Sequence, residues 1–66
     1  MAKYYVNKTA QLNGDHEVHK DGCRYMPSNR LDLGDHSSCH TAVAAAKRYY
    51  STANGCIYCS RECHTT

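Results

Sequence analysis

Apolar residues in the first half of the chain follow the alternation that is typical of short strands. Residues 3–6 are rich in side chains that favour strands, and residues 16–19 form a second candidate with Val18 as the inward residue. Leu31 and Leu33 alternate around a polar residue, which indicates a third short strand. We therefore predict two or three short strands.

The second half of the chain contains one helical pattern. Cys39, Val43, Ala46 and Tyr50 are separated by four, three and four residues, so they fall on one face of a helix. Alanines and basic residues around them favour helix, and the serines before Cys39 can cap its start. The pattern predicts one helix at about residues 38–50.

The end of the chain is predicted to form a turn and a metal-binding knuckle. Asn54-Gly55 is a turn signal, and Cys56 and Cys59 follow with two residues between them. Together with the strands and the helix, this predicts an α+β fold in a single zinc-stabilised domain over residues 1–66.

The composition makes a purely hydrocarbon core insufficient. Val, Leu and Ile together number seven of 66 residues, and Phe and Trp are absent. This share is well below the roughly 20% at which a chain becomes doubtful as a folder. A domain of this size also buries only about 60% of its unfolded surface. Another source of stability is required, and five Cys with five His suggest a metal ion.

The cysteine chemistry depends on the compartment. No stretch approaches the roughly 18 apolar residues of a membrane span, and the first residues lack the apolar core of a signal peptide. We therefore expect a cytoplasmic protein, in which thiols stay reduced. Five cysteines cannot all pair within one chain, so both considerations favour metal ligation over disulfides.

Two ligand pairs carry the metal prediction. His19 and Cys23 have three residues between them, and Cys56 and Cys59 have two. Each spacing allows a turn that directs two ligand atoms to one point, and zinc prefers four such sulfur or nitrogen ligands in a tetrahedron. We predict a structural Cys3His zinc site formed by His19, Cys23, Cys56 and Cys59.

The fourth ligand has alternatives. On a strand, His16 and His19 face opposite ways, so only one of them is expected to bind, and His19 is favoured by its spacing to Cys23. Cys63 or His64 are the other candidates for that position. Cys39 is interpreted first as a small buried hydrophobe, with pairing to Cys63 or metal ligation as the alternatives.

The segment Val18-His19-Lys20-Asp21-Gly22-Cys23 resembles the motif that opens small zinc domains of the Ada type and of micrococcal-type nuclease tails. The resemblance covers roughly residues 18–59 and implies a strand, a helix that starts at a serine, and a closing Cys-x2-Cys. In Ada the first Cys of the motif accepts a methyl group from DNA. Here His19 stands at that position, so the resemblance does not imply methyl transfer. Most of the chain also resembles a group of short bacterial proteins of unknown function.

These observations lead to ranked functional hypotheses. The first is a zinc-stabilised module that binds nucleic acid or protein, without catalytic activity, membrane attachment or a small-molecule substrate. The alternative is a metal-buffering or redox-sensing thiol protein, and a DNA-repair-type reactive zinc thiolate ranks below both. Tyr beside basic residues, as in Arg24-Tyr25, is compatible with stacking on single strands, but Tyr also replaces the missing Phe and Trp as core filler.

Overall fold

The computed structural model describes residues 1–65 as a four-stranded sheet with one α-helix against it, which confirms the predicted α+β class. The elements in chain order are β1 (Ala2–Asn7), β2 (His16–Lys20), β3 (Arg30–His36), α1 (Cys39–Ala46), β4 (Ala53–Gly55) and a final 3₁₀ turn (Arg61–Cys63). The first three strands lie where the alternation of apolar residues predicted them.

The order of the strands in the sheet is β3-β1-β2-β4. β1 is antiparallel to both of its neighbours, and β2 pairs with β4 in parallel. A parallel pair needs a long crossover connection, and here β3 and α1 lie between β2 and β4 in the chain. The crossover is what returns the C-terminal segment to the side of β2.

The fourth strand differs from the prediction of two or three strands and a turn at Asn54-Gly55. Asn and Gly are poor strand formers, but the buried Asn54 side chain compensates through hydrogen bonds. Its Oδ1 accepts from the backbone N–H groups of Gly55 (2.9 Å) and Thr65 (3.1 Å), and its Nδ2 donates to Asp15 (3.2 Å). Two of these partners, Asp15 and Thr65, are distant in sequence, so a local turn signal gave the wrong conformation.

The helix is shorter than the predicted range of residues 38–50. It ends at Ala46, after which the N–H of Arg48 donates to Ala45 and that of Tyr49 to Ala46, both three residues back. Such bonds are typical of a tightened last turn. Tyr50 nevertheless packs against the core, as predicted, and its ring also stacks on His16 at a centroid distance of 4.0 Å.

The core between sheet and helix is small. Its buried members are Tyr4, Val6, Val18, Cys39, Ala42, Val43, Ala46, Ala53 and Cys63. Of the larger aliphatic residues, Leu12 and Ile57 are exposed and therefore contribute little. The structure thus agrees with the composition: few large side chains are available for burial.

A disulfide joins Cys39, the first residue of α1, to Cys63 in the 3₁₀ turn. Cys39 is buried on the predicted helix face, but it is paired, which was the alternative rather than the first interpretation. Helix and turn pack so closely that the two Cα atoms are 6.2 Å apart, within the range a disulfide spans. One disulfide and three free thiols therefore coexist in the chain.

Candidate metal centre

The two halves of the centre meet because β2 and β4 run in parallel. Val18 pairs with Gly55, so the residues that follow them, His19 in β2 and Cys56 just after β4, lie side by side at the same end of the two strands. The N–H of Cys56 donates to the carbonyl of Val18 at 3.0 Å, which continues the pairing by one step. Both side chains are almost completely buried.

A turn after each strand adds the second ligand of each pair. Gly22 adopts the left-handed conformation, which glycine takes at little cost, and the N–H of Cys23 donates to Lys20 at 3.0 Å. After β4, the N–H of Ser60 donates to the carbonyl of Cys56 at 2.8 Å and closes a tight loop around Cys59. Both turns are of the kind the spacing predicted.

The structure brings together all four predicted ligands. One ligand atom each from His19, Cys23, Cys56 and Cys59 lies within 4.8 Å of every other. A tetrahedral zinc ion with the usual bond lengths separates two sulfurs by about 3.8 Å, and a sulfur from a nitrogen by about 3.6 Å. His19 Nδ1 and Cys59 Sγ are 3.9 Å apart. The four residues therefore fit a single metal ion, with adjustments of roughly 1 Å or less.

Glu17 orients His19 and was not foreseen from the sequence. One carboxylate oxygen of Glu17 lies 3.5 Å from Nε2 of His19, while Nδ1 faces Cys59. Burial lowers the pKa of His19, and the Glu17 carboxylate opposes this only in part. The imidazole is then neutral, with Nε2–H directed at Glu17 and the Nδ1 lone pair available to a metal, an arrangement common at metal sites. Residues two apart on a strand share a face, and that was the available signal.

Cys59 is a protonated thiol in the metal-free protein. Burial raises its pKa from 9.0 to about 12, and a hydrogen bond from the backbone N–H of Lys20 at 3.3 Å opposes the rise. A bound metal ion removes such a proton outright. Binding at this centre is therefore coupled to proton release.

The other candidates for the fourth ligand lie elsewhere. His16 Nδ1 is 2.9 Å from the carbonyl oxygen of Asn7, and its ring stacks on Tyr50. Cys63 is held in the disulfide, and His64 Nδ1 is 3.1 Å from the carbonyl oxygen of Gly55. Among the described residues, His19 is the histidine that joins the three free thiols.

Two exposed tyrosines flank the centre. Tyr25 lies two residues after Cys23 and Tyr58 directly precedes Cys59, and their rings stack at a centroid distance of 4.4 Å. Their exposed fractions are 50% and 66%. Of these two residues, the sequence pointed to Tyr25 as a possible stacking residue, and Tyr58 was missed. The same turns that supply the ligands thus present an aromatic surface to solvent.

Basic groups border this aromatic surface. The Arg24 guanidinium lies 5.7 Å from the centroid of the Tyr25 ring. An open pocket of about 390 Å³ next to it is lined in part by Lys20, Tyr58 and Arg61, with Glu62 as an acidic member. The surface combines aromatic rings with several positive charges.

No protein-family model, curated protein or solved structure matches the chain. The resemblance to Ada-type zinc domains therefore stays a prediction. Within residues 1–65, no helix has the length and apolar character needed to cross a membrane.

Proposed function

We propose that the chain is a small zinc-binding module in which one structural Zn²⁺ is held by His19, Cys23, Cys56 and Cys59. The observation that carries this proposal is the convergence of three free thiols and one neutral imidazole from two distant segments. Soft sulfur ligands with an imidazole select zinc over magnesium or calcium, which prefer oxygen.

The energy scale supports a structural role for the ion. Structural zinc contributes roughly 10–16 kcal/mol of apparent binding free energy in small fingers. The net stability of a whole domain is about 5–15 kcal/mol, so one ion is enough to offset a small core. A site with four protein ligands has no open position for a substrate or water, and we therefore assign it no catalytic step.

Two histidines on β2 offer a matched test of this assignment. His19→Gln should weaken zinc binding at least 100-fold, whereas His16→Gln, three residues away, should leave it within about twofold. Zinc affinity is measured by competition with a chromophoric chelator, and native mass spectrometry of the wild-type protein should show one zinc. Equal losses in the two variants, or no zinc in the wild-type protein, would refute the assignment.

We assign the module a binding role, with a single-stranded nucleic acid as its partner. The support is the exposed Tyr25–Tyr58 stack with Arg24 beside it, because aromatic faces and positive charges are what hold single strands. Zinc with three thiolates reduces the formal charge from +2 to about +1, so local contacts rather than net charge must supply the affinity.

The partner is tested with fluorescently labelled single-stranded DNA and RNA. Each base that stacks on an aromatic ring contributes about 1–3 kcal/mol, so Tyr58→Ala should weaken binding roughly 5- to 150-fold. Tyr49 is exposed to a similar degree, 67% against 66%, and Tyr49→Ala is the control. Failure of the wild-type protein to bind either nucleic acid, or equal losses in both variants, would redirect the proposal to a protein partner at the exposed Ile57.

A further inference from the structure

A second group of metal-ligating side chains lies at the start of α1, outside the centre already described. Ligand atoms of Cys39, His40 and Cys63 are all within 4.8 Å of one another. The two sulfurs are joined in the disulfide, and in that form neither is a thiolate. We propose that reduction of this disulfide creates a second metal site, which takes a thiophilic divalent ion such as Zn²⁺ on two thiolates and one imidazole.

The backbone holds the three ligands in place independently of the disulfide bond. Cys39 and His40 are the first two residues of α1, and Cys63 lies in the 3₁₀ turn that packs on it. The N–H of Cys63 donates to Ser60 at 2.9 Å, and that of Ser60 to Cys56 at 2.8 Å. The turn is thus attached to the first metal centre, so cleavage of the S–S bond leaves it anchored.

There is room for an ion and its water beside two of these ligands, His40 and Cys63. A pocket of about 250 Å³ is lined in part by His40, Glu62 and Cys63. His40 is exposed, so its imidazole can turn toward the sulfurs without repacking the core. Glu62 lies 3.6 Å from Nε2 of His40 and is placed to accept a hydrogen bond from the ring or to add an oxygen ligand.

The chemistry balances with a thiol as reductant. Two molecules of a low-molecular-weight thiol transfer two electrons and two protons to the Cys39–Cys63 disulfide, giving two protein thiols and one external disulfide. Zn²⁺ then displaces both thiol protons and binds the two thiolates and the neutral imidazole of His40. Oxidation by a small-molecule disulfide reverses the sequence, releases the ion and restores the protein disulfide.

This inference goes beyond the proposed function, since the two centres share no ligand. Cys23, Cys56 and Cys59 are free thiols beside the closed disulfide, and a reductant leaves free thiols unchanged. The first centre is expected to hold its ion in both redox states. The second has three protein ligands and an exposed edge, so it should bind more weakly and exchange its ion with solvent.

The test compares the oxidised and reduced protein in the presence of three equivalents of Zn²⁺. Native mass spectrometry at pH 7 should show one zinc in the oxidised protein. After treatment with tris(2-carboxyethyl)phosphine it should show two zinc ions. Reduction adds two hydrogens to the protein, and binding of the second ion displaces them as protons. The first number tests the proposed function, and the change on reduction tests this inference. Two zinc ions before reduction, or one after it, would overturn the inference.

Variants identify the ligands of the second ion. His40→Ala should weaken binding of the second ion at least tenfold. Lys47→Ala is the control, because Lys47 lines the same pocket but is not one of the three proposed ligands. Cys39→Ser with Cys63→Ser should bind one zinc under both conditions. If the reduced protein bound one zinc and its proton–nitrogen NMR spectrum lost dispersion, the chain would have unfolded. That result would contradict the claim that the backbone holds the ligands.

Discussion

Gly55 is the glycine at which an added Cβ atom would meet neighbouring atoms, and its substitution offers a sharp test of how the candidate metal centre is supported. It ends β4, directly before the ligand Cys56, and the 3₁₀ turn passes over it. A Cβ atom at Gly55 would lie 2.7 Å from the Cβ of Cys63, 2.7 Å from the carbonyl oxygen of Ser60 and 2.8 Å from the carbonyl carbon of Cys63. The change to test is Gly55→Ala.

The magnitude follows from these distances. Non-bonded carbon atoms prefer separations of about 3.5–4.0 Å, so the turn must move by roughly 1 Å. Two of the three contacts are backbone atoms, and no side-chain rotation relieves them. Overpacking of this kind costs about 1–3 kcal/mol, occasionally more. We expect about 3 kcal/mol or more, because the displaced segment also carries Cys63 of the disulfide and follows Cys59.

The assay is urea unfolding of the zinc-loaded, oxidised protein together with its zinc affinity. Gly55→Ala should lower both, with affinity reduced at least tenfold. Gly14→Ala is the control, since its Cβ would have no neighbour within 4 Å and only the left-handed conformation (φ +91°) opposes it. That strain costs about 1–2 kcal/mol and should not change zinc affinity. A Gly55→Ala variant with wild-type stability would refute the close packing of the turn on β4.

Three further outcomes are expected. The double variant Cys39→Ala with Cys63→Ala removes a cross-link between residues 24 apart. Loop entropy predicts that the free energy of unfolding in urea falls by about 3.5 kcal/mol, while zinc affinity stays unchanged. A loss of zinc would show that the disulfide supports the first centre. Glu17→Ala should weaken zinc binding about 10- to 100-fold, and Glu17→Gln, which keeps an oxygen near His19 Nε2, should lose less; identical effects would argue against a role for the contact between Glu17 and His19. Zinc affinity should rise with pH between 6 and 8, because the raised pKa of Cys59 means that binding must displace its proton. Each displaced proton changes the affinity about tenfold per pH unit. Isothermal titration calorimetry in buffers of different ionisation enthalpy gives the number of protons released. An affinity independent of pH would contradict thiolate ligation.

The four residues of the candidate centre could be predicted from the sequence because the spacing within each pair is local. A turn between His19 and Cys23, or between Cys56 and Cys59, brings two ligand atoms together regardless of the rest of the fold. Alternation of faces along β2 predicted that only one of His16 and His19 binds, and the spacing to Cys23 ranked His19 first. The structure places His19 in the cluster and His16 against Tyr50.

The features that the sequence did not predict depend on long-range contacts. β4 is stabilised by pairing with β2 and by the side chain of Asn54, whose partners Asp15 and Thr65 are 39 and 11 residues away. Such pairing overrides the local preference of Asn-Gly for a turn.

The disulfide between Cys39 and Cys63 likewise depends on how the helix packs on the C-terminal turn. That packing cannot be read from spacing, because cysteine connectivity is not encoded locally. The core is small, as the composition predicted, and the disulfide cross-links it; stabilisation by a metal ion at the candidate centre remains the proposal.

Zinc K-edge X-ray absorption of the oxidised, zinc-loaded protein tests the central claim most directly. The ligand set of His19, Cys23, Cys56 and Cys59 predicts three sulfur neighbours at about 2.3 Å and one nitrogen at about 2.0–2.1 Å. A first shell of four sulfurs would contradict ligation by His19. A shell of oxygen and nitrogen alone would contradict the proposed centre.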